Sequence, residues 1–194
     1  LVDSGQDKDH GRKIRKALDS LGLTLSVILC THSHADHYGG NAYLLRQYPD
    51  PQVWAPEIEA DIIRTPILEP IYLFHGATPL PELTTKWLQA EASPVHRVVA
   101  AGDEELHRQL AVLVDDVLLA TDSLFGAATL EKYPFPFSQD VGGQLGSIDA
   151  VLRLLETGSV RVALPGHGEP TELVGDLAEQ NRQALERAAT VVEH

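Results

Sequence analysis

The chain has 194 residues, 43% of them hydrophobic, a formal net charge of −13 and one cysteine. That length suits one globular domain able to bury its own core, and the acidity excludes a nucleic-acid backbone or an anionic membrane as the main partner, because association would begin with repulsion. No apolar stretch approaches the ~20 residues that cross a bilayer, and Cys30, being alone, reads as a small core hydrophobe in a reducing, cytoplasmic setting.

Ile14, Ala17, Leu18 and Leu21 recur at helical spacing and stop at Gly22, which predicts an amphipathic helix. Residues 25–31, Leu-Ser-Val-Ile-Leu-Cys-Thr, are short, β-branched and apolar, the pattern of a buried strand in a parallel or mixed sheet. Directly behind them, 31–40 reads Thr-His-Ser-His-Ala-Asp-His-Tyr-Gly-Gly, placing His32, His34, Asp36 and His37 within six residues. Packing explains such a cluster poorly, since each side chain brings a polar nitrogen or a charge that must find a partner; a metal site explains all four. On a tight loop, positions 32 and 34 project to one side while 36 and 37 point elsewhere, so two neighbouring ions can be served, with further ligands required from the rest of the chain. Gly39 and Gly40 break the strand and turn the backbone, and 41–48 predicts a helix ended by Pro49. The candidate ligands therefore sit on a strand-to-helix loop at the carboxyl end of a strand, where open α/β sheets place their sites.

Further along, 52–55 predicts a short strand and Pro56 the start of a helix through Ile63. Residues 67–81 are rich in proline and large apolar side chains without a clean period, so they either wall a pocket through Tyr72, Phe74 and His75 or pack on the core; His75 takes no metal role. Residues 95–99 read as a strand in which His96 is a surface or satisfied residue, and 110–114 with 117–120 predict a hairpin around Asp115-Asp116. Tyr-Pro-Phe-Pro-Phe at 133–137 is a second candidate pocket wall. Leu173, Leu177, Asn181, Ala184, Leu185 and Ala188 share one face of a long closing helix capped by Thr171.

Segment 31–40 resembles the His-x-His-x-Asp-His motif of the metallo-β-lactamase-fold hydrolases, and other landmarks of that superfamily follow in order over nearly the whole chain. Leu-Val-Asp-Ser-Gly at 1–5 resembles the early strand ending in Asp-x-Gly. Val-Leu-Leu-Ala-Thr-Asp-Ser-Leu-Phe at 117–125 resembles the strand that delivers a bridging aspartate, here Asp122, and Val-Arg-Val-Ala-Leu-Pro-Gly-His-Gly at 160–168 the strand carrying the last histidine, here His167. The resemblance implies an α/β fold, a four-layer αββα sandwich of the metallo-β-lactamase type, in one domain over 1–194. It implies a binuclear metallo-hydrolase in which His32 and His34 bind the first divalent ion, Asp36, His37 and His167 the second, and Asp122 bridges. Zinc suits these ligands, as do iron and manganese.

In such a site a metal lowers the pKa of bound water toward ~7, and Asp36 is the expected catalytic residue, orienting that water. The bridging carboxylate resembles the glyoxalase II, thioesterase and lactonase branches, which implies hydrolysis of an ester, thioester or lactone of a small-molecule substrate; a homo-oligomer is compatible with this. Alternatives are an iron-dependent oxidoreductase of persulfide or oxygen chemistry, a β-lactamase, and a non-catalytic metal-binding relative. Family members carry another first-site histidine in a Pro-Gly-His turn upstream of the bridging aspartate, which is lacking before Asp122. His107, the weaker candidate His96, or a residue absent from the sequence is left for that place. The resemblance thus also implies that an N-terminal hairpin ahead of Leu1 and a loop near residues 105–110 are missing.

Overall fold

In a computed structural model, residues 1–99, 111–134, 138 and 140–192 are described. His107 and the 105–110 segment lie outside the described residues. The elements group into two units, Leu1–Gly102 and Asp103–His194, each with its own sheet and apolar core.

In the first unit the apolar run behind the histidines forms β1 (Val27–Leu29), which pairs in parallel with β2 (Gln52–Pro56), itself parallel to β3 (Arg97–Val99). The strand expected at 1–5 reduces to a single parallel bridge between Val2 and Leu29. Helix α1 (Lys8–Leu21) is capped by the Asp7 carboxylate, which accepts from the N–H groups of Asp9 and His10, and ends at Gly22 with φ 65°. Its buried stripe is narrower than the sequence pattern: Ile14 and Leu18 pack on the core, while Ala17 and Leu21 face solvent. Nearer its start α1 lies against α3 (Asn41–Gln47), where a Cβ on Gly11 would sit 3.0 Å from Tyr43.

Between β1 and α3 the chain forms a four-residue helix, α2 (Ala35–Tyr38). Gly39 and Gly40 follow it at φ −61° and −78°, so neither is needed for an unusual turn, contrary to the sequence expectation. They are needed for close approach: a Cβ would lie 1.8 Å from the Gln6 carbonyl oxygen at Gly39 and 2.2 Å from that of Ser4 at Gly40. Helix α4 (Glu57–Arg64) follows β2 as expected. Segment 67–81 is more regular than its composition suggests, since Leu68–Leu73 form helix α5; Pro70 is tolerated there because it lies in the first turn, where its missing N–H has no intrahelical acceptor.

In the second unit β4 (Val112–Val114) and β5 (Val117–Phe125) form the expected antiparallel hairpin, with Asp115 in its turn at φ 54°, and β6 (Val162–His167) pairs in parallel with β5. Helices α6 (Ala127–Lys132), α7 (Val141–Glu156) and α8 (Val174–Val192) complete it. Its core joins Leu118, Ala120 and Leu124 of β5 to Ile148 and Val151 of α7 and Leu177, Ala178 and Leu185 of α8. Thr171 is not the helix cap the sequence suggested, since α8 starts at Val174 and Thr171, bridged to Ala163, accepts the Leu173 N–H in a turn ahead of the helix; the Leu173 side chain is exposed rather than on the inner face. No helix among the described residues is long and apolar enough to cross a membrane.

The two glycine classes separate experimentally. Gly39→Ala should destabilise the protein by about 2 kcal/mol or more, an overpacking cost against immovable backbone, whereas Gly22→Ala, which meets open space, should cost about 1 kcal/mol through its left-handed φ alone. Urea denaturation of both variants measures the difference.

Candidate metal centre

Asp3 holds the histidine loop of the first unit. Its Oδ1 accepts the Thr31 N–H at 2.8 Å, and its Oδ2 accepts the Thr31 hydroxyl and meets His37 Nδ1, each at 2.8 Å. The residue has φ 51°, uncommon for a side chain other than glycine, and its backbone is fixed by Asp3 N–H to Leu29 O and Ser4 N–H to His37 O. These contacts set the histidine tautomers. A carboxylate only accepts, so His37 presents its N–H at Nδ1 and leaves the Nε2 lone pair for a ligand. The single hydroxyl proton of Thr31 also goes to Asp3, so at 3.1 Å from His32 Nδ1 the hydroxyl oxygen accepts. His32 thereby also keeps its lone pair at Nε2.

His32 Nε2 faces His34 Nδ1 at 3.1 Å, and the rings of His32 and His37 lie 4.0 Å apart between centroids. Two nitrogens on one tetrahedral ion with bonds of ~2.0–2.1 Å would be roughly 3.3 Å apart, so the pair fits a shared cation. Asp3, His32 and His37 also offer ligand atoms within 4.8 Å of one another. The ring of His37 packs beside that of His32. Asp36, next to it in the first turn of α2, stays partly exposed, with Oδ2 at 3.9 Å from His37 Nε2.

Two buried glutamates lie beneath the loop and carry no sequence signature of their own. Glu59 of α4 accepts the Ser33 N–H at 2.7 Å, fixing the backbone between His32 and His34. Glu69 of α5 is buried, and desolvation followed by the nearby Asp36 charge pushes its carboxyl up to about 8, with the Ala35 N–H opposing in part.

The second unit supplies the other two candidates. Asp122 is buried in β5, and its Oδ1 lies 3.5 Å from His167 Nε2 at the end of β6. The β5–β6 register shifts on both sides of Thr121, which has φ 49°, and this irregularity re-aims the next residue, Asp122. Gly166 makes room for it: a Cβ there would be 2.5 Å from Asp122 Oδ1.

Of the sequence candidates, His32, His34, Asp36 and His37 are thus gathered in one unit, and Asp122 with His167 in the other. His96 is exposed and satisfied, its Nδ1 accepting the Val53 N–H at 2.9 Å. Cys30 is buried core, with its thiol pushed up to about 12 by desolvation, so it is no thiolate ligand. Among the pocket-wall candidates, Tyr72 and Phe74 are half-buried and His75 is exposed at φ 55°.

Asp3→Asn, which puts an amide against three donors, should weaken metal binding ~10–100-fold, the usual effect of removing an outer partner of a ligand; chelator competition measures it. Glu69 yields a pH test. Its folded pKa lies above the unfolded value, so the folded state holds more protons between about 4.5 and 8, and stability falls as pH rises through that window. Glu69→Gln should therefore raise the melting temperature relative to wild type by more at pH 9 than at pH 5.

The metallo-beta-lactamase superfamily profile matches residues 1–167. A hydroxyacylglutathione hydrolase from Synechococcus sp. (strain ATCC 27144 / PCC 6301 / SAUG 1402/1) is 45% identical over 65 residues, 32% of this chain and 25% of that protein. An atrochrysone carboxyl ACP thioesterase from Aspergillus terreus is 25% identical over 194 residues, 99% of this chain and 53% of its own length. The chain therefore spans between a quarter and about half of these relatives. Among solved structures, a metallo-beta-lactamase family protein from Thermus thermophilus superposes with a TM-score of 0.67 at 24% identity, covering 96% of this chain and 70% of that one. The metallo-beta-lactamase FIM-1 from Pseudomonas aeruginosa, in a mono-zinc form, gives 0.66 at 16% identity, with 97% and 79% covered. The fold is α/β of the metallo-β-lactamase type, and the chain belongs to the metallo-beta-lactamase superfamily.

Proposed function

We propose that the protein is a metal-dependent hydrolase of thioesters, within the wider class of esters, thioesters and lactones of small molecules. The observation that carries this reading is the gathering of His32, His34 and His37 on one loop, with contacts of 2.8–3.1 Å from Thr31 and Asp3 anchoring the Nδ1 sides of the His32 and His37 rings, so that Nε2 is the nitrogen each would offer to an ion. In the proposed centre His32 and His34 would hold one divalent ion, Asp36, His37 and His167 a second, and Asp122 would be a ligand to both; zinc is the favoured metal. Thioesters are favoured because two of the relatives are named as a hydroxyacylglutathione hydrolase and a carboxyl ACP thioesterase.

Bound divalent ions would supply Lewis acidity and water activated near neutral pH. The remaining work falls to the chain. Asp36, partly exposed at the start of α2, orients the attacking water and takes its proton at a carboxylate oxygen. Asp3 and Thr31 keep His37 and His32 in one tautomer throughout, so no ligand is lost to a ring flip.

A panel of chromogenic thioesters, esters, lactones and a β-lactam tests the reading. Thioesters should turn over fastest, a chelator should abolish turnover and zinc restore it, and Asp36→Asn should slow it ~100-fold or more, the scale of a lost general base. His37→Ala should remove one metal equivalent by elemental analysis. Turnover of the β-lactam alone, or turnover indifferent to chelation, would overturn the assignment.

A further inference from the structure

We infer that Asn181 is a positioning residue for His167, acting through the backbone and ring of Phe125; its bearing on metal binding rests on the function proposed above. The inner face of α8 is otherwise apolar, with Val174, Leu177, Ala178, Ala184 and Leu185 all buried. Asn181 lies in that stripe at 2% exposure. A buried amide is tolerated in such a place only where its hydrogen bonds are met.

They are met by a single strand residue and one turn of helix. Asn181 Oδ1 accepts the Phe125 N–H at 2.8 Å, and Nδ2 donates to Phe125 O and to Leu177 O, each at 2.9 Å. The amide thus pairs both backbone groups of Phe125, as a neighbouring strand would. Among the described residues β4 pairs with β5 from Val117 to Leu119 and does not reach Phe125, which is in register with His167 of β6.

Phe125 in turn lies against His167. The two rings are 6.1 Å apart between centroids and 16° from parallel. The backbone of His167 is held from the same stretch, as the register partner of Phe125 whose carbonyl accepts from Gly126 N–H at 2.8 Å and from Thr129 Oγ1 at 3.0 Å. The His167 side chain is 42% exposed, so the Phe125 face, held by Asn181, is a wall that limits its rotation. A residue serving only to fill the core would be replaced without loss by leucine, which matches the apolar stripe.

The test uses the full chain and four variants, Asn181→Leu, Asn181→Asp, Phe125→Leu and Leu185→Ala. The last shortens an apolar side chain of the same stripe and leaves the Asn181 amide and the Phe125 ring chemically unaltered. In metal-free protein, the His167 ring resonances report the Phe125 ring current. They should move in Asn181→Leu, Asn181→Asp and Phe125→Leu but stay in place in Leu185→Ala. Zinc titration against a chromogenic chelator should show one equivalent bound ~10–100-fold more weakly in the first three, the scale for an outer partner of a ligand. Should the Asn181 variants fail to fold, Phe125→Leu carries the same readouts. Unmoved His167 resonances in the folded variants, or an equal movement in Leu185→Ala, would overturn the inference. His167→Ala separates the two ideas. If it retains every zinc equivalent, the metal reading fails, while the metal-free resonances still judge Asn181.

Discussion

Three donors converge on the carboxylate of Asp3, and the candidate centre of the first unit depends on that convergence. Thr31 N–H, Thr31 Oγ1 and His37 Nδ1 all lie 2.8 Å from its oxygens. Charge-assisted bonds of this kind are roughly twice as strong as neutral ones, and here they tie together the first residues of the chain, the end of β1 and helix α2. One anion thereby sets the backbone of the loop, the tautomer of His37 directly and that of His32 through Thr31. Without it the imidazoles have no fixed donor side, and a ligand set becomes four side chains on a short loop.

Backbone proximity makes the convergence possible. Gly39 and Gly40 let the chain from Ser4 to Gln6 lie directly on the end of α2 and the start of α3, and the Ser4 N–H then reaches His37 O at 2.7 Å. In the second unit the same economy of space serves Asp122, which has Gly166 beside it and the Thr121 irregularity before it. In each unit, one aspartate is aimed by a non-glycine residue at positive φ, Asp3 itself in one and Thr121 in the other. Such strain persists where surrounding bonds over-determine it, and functional sites are where it gathers.

What the sequence made legible was local and periodic. The apolar run before the histidines, the stop at Gly22 and the hairpin at Asp115-Asp116 follow from side-chain pattern and turn chemistry, and all are present. The ligand cluster was visible because its members are nearly consecutive. Contacts of long separation were not: Asp3 is 28 residues from Thr31 and 34 from His37, and Glu59 is 26 from Ser33. Helix α5 was obscured by Pro70, which its first turn accommodates, and α7 by the glycines at its start. The width of the α1 stripe was overestimated because how much of a helix its neighbours cover is a tertiary fact. Asn181 was read as part of an apolar face, and only the end of β5 explains its polarity.

The central claim is that these imidazoles ligate a cation through the Nε2 nitrogens, on the ring side opposite the contacts to Asp3 and Thr31. X-ray absorption at the zinc edge, on protein depleted of metal and reloaded with zinc, addresses it directly. The account predicts a nitrogen and oxygen shell at ~2.0–2.1 Å with the multiple scattering of coordinated imidazole. An all-oxygen shell without imidazole scattering would contradict it.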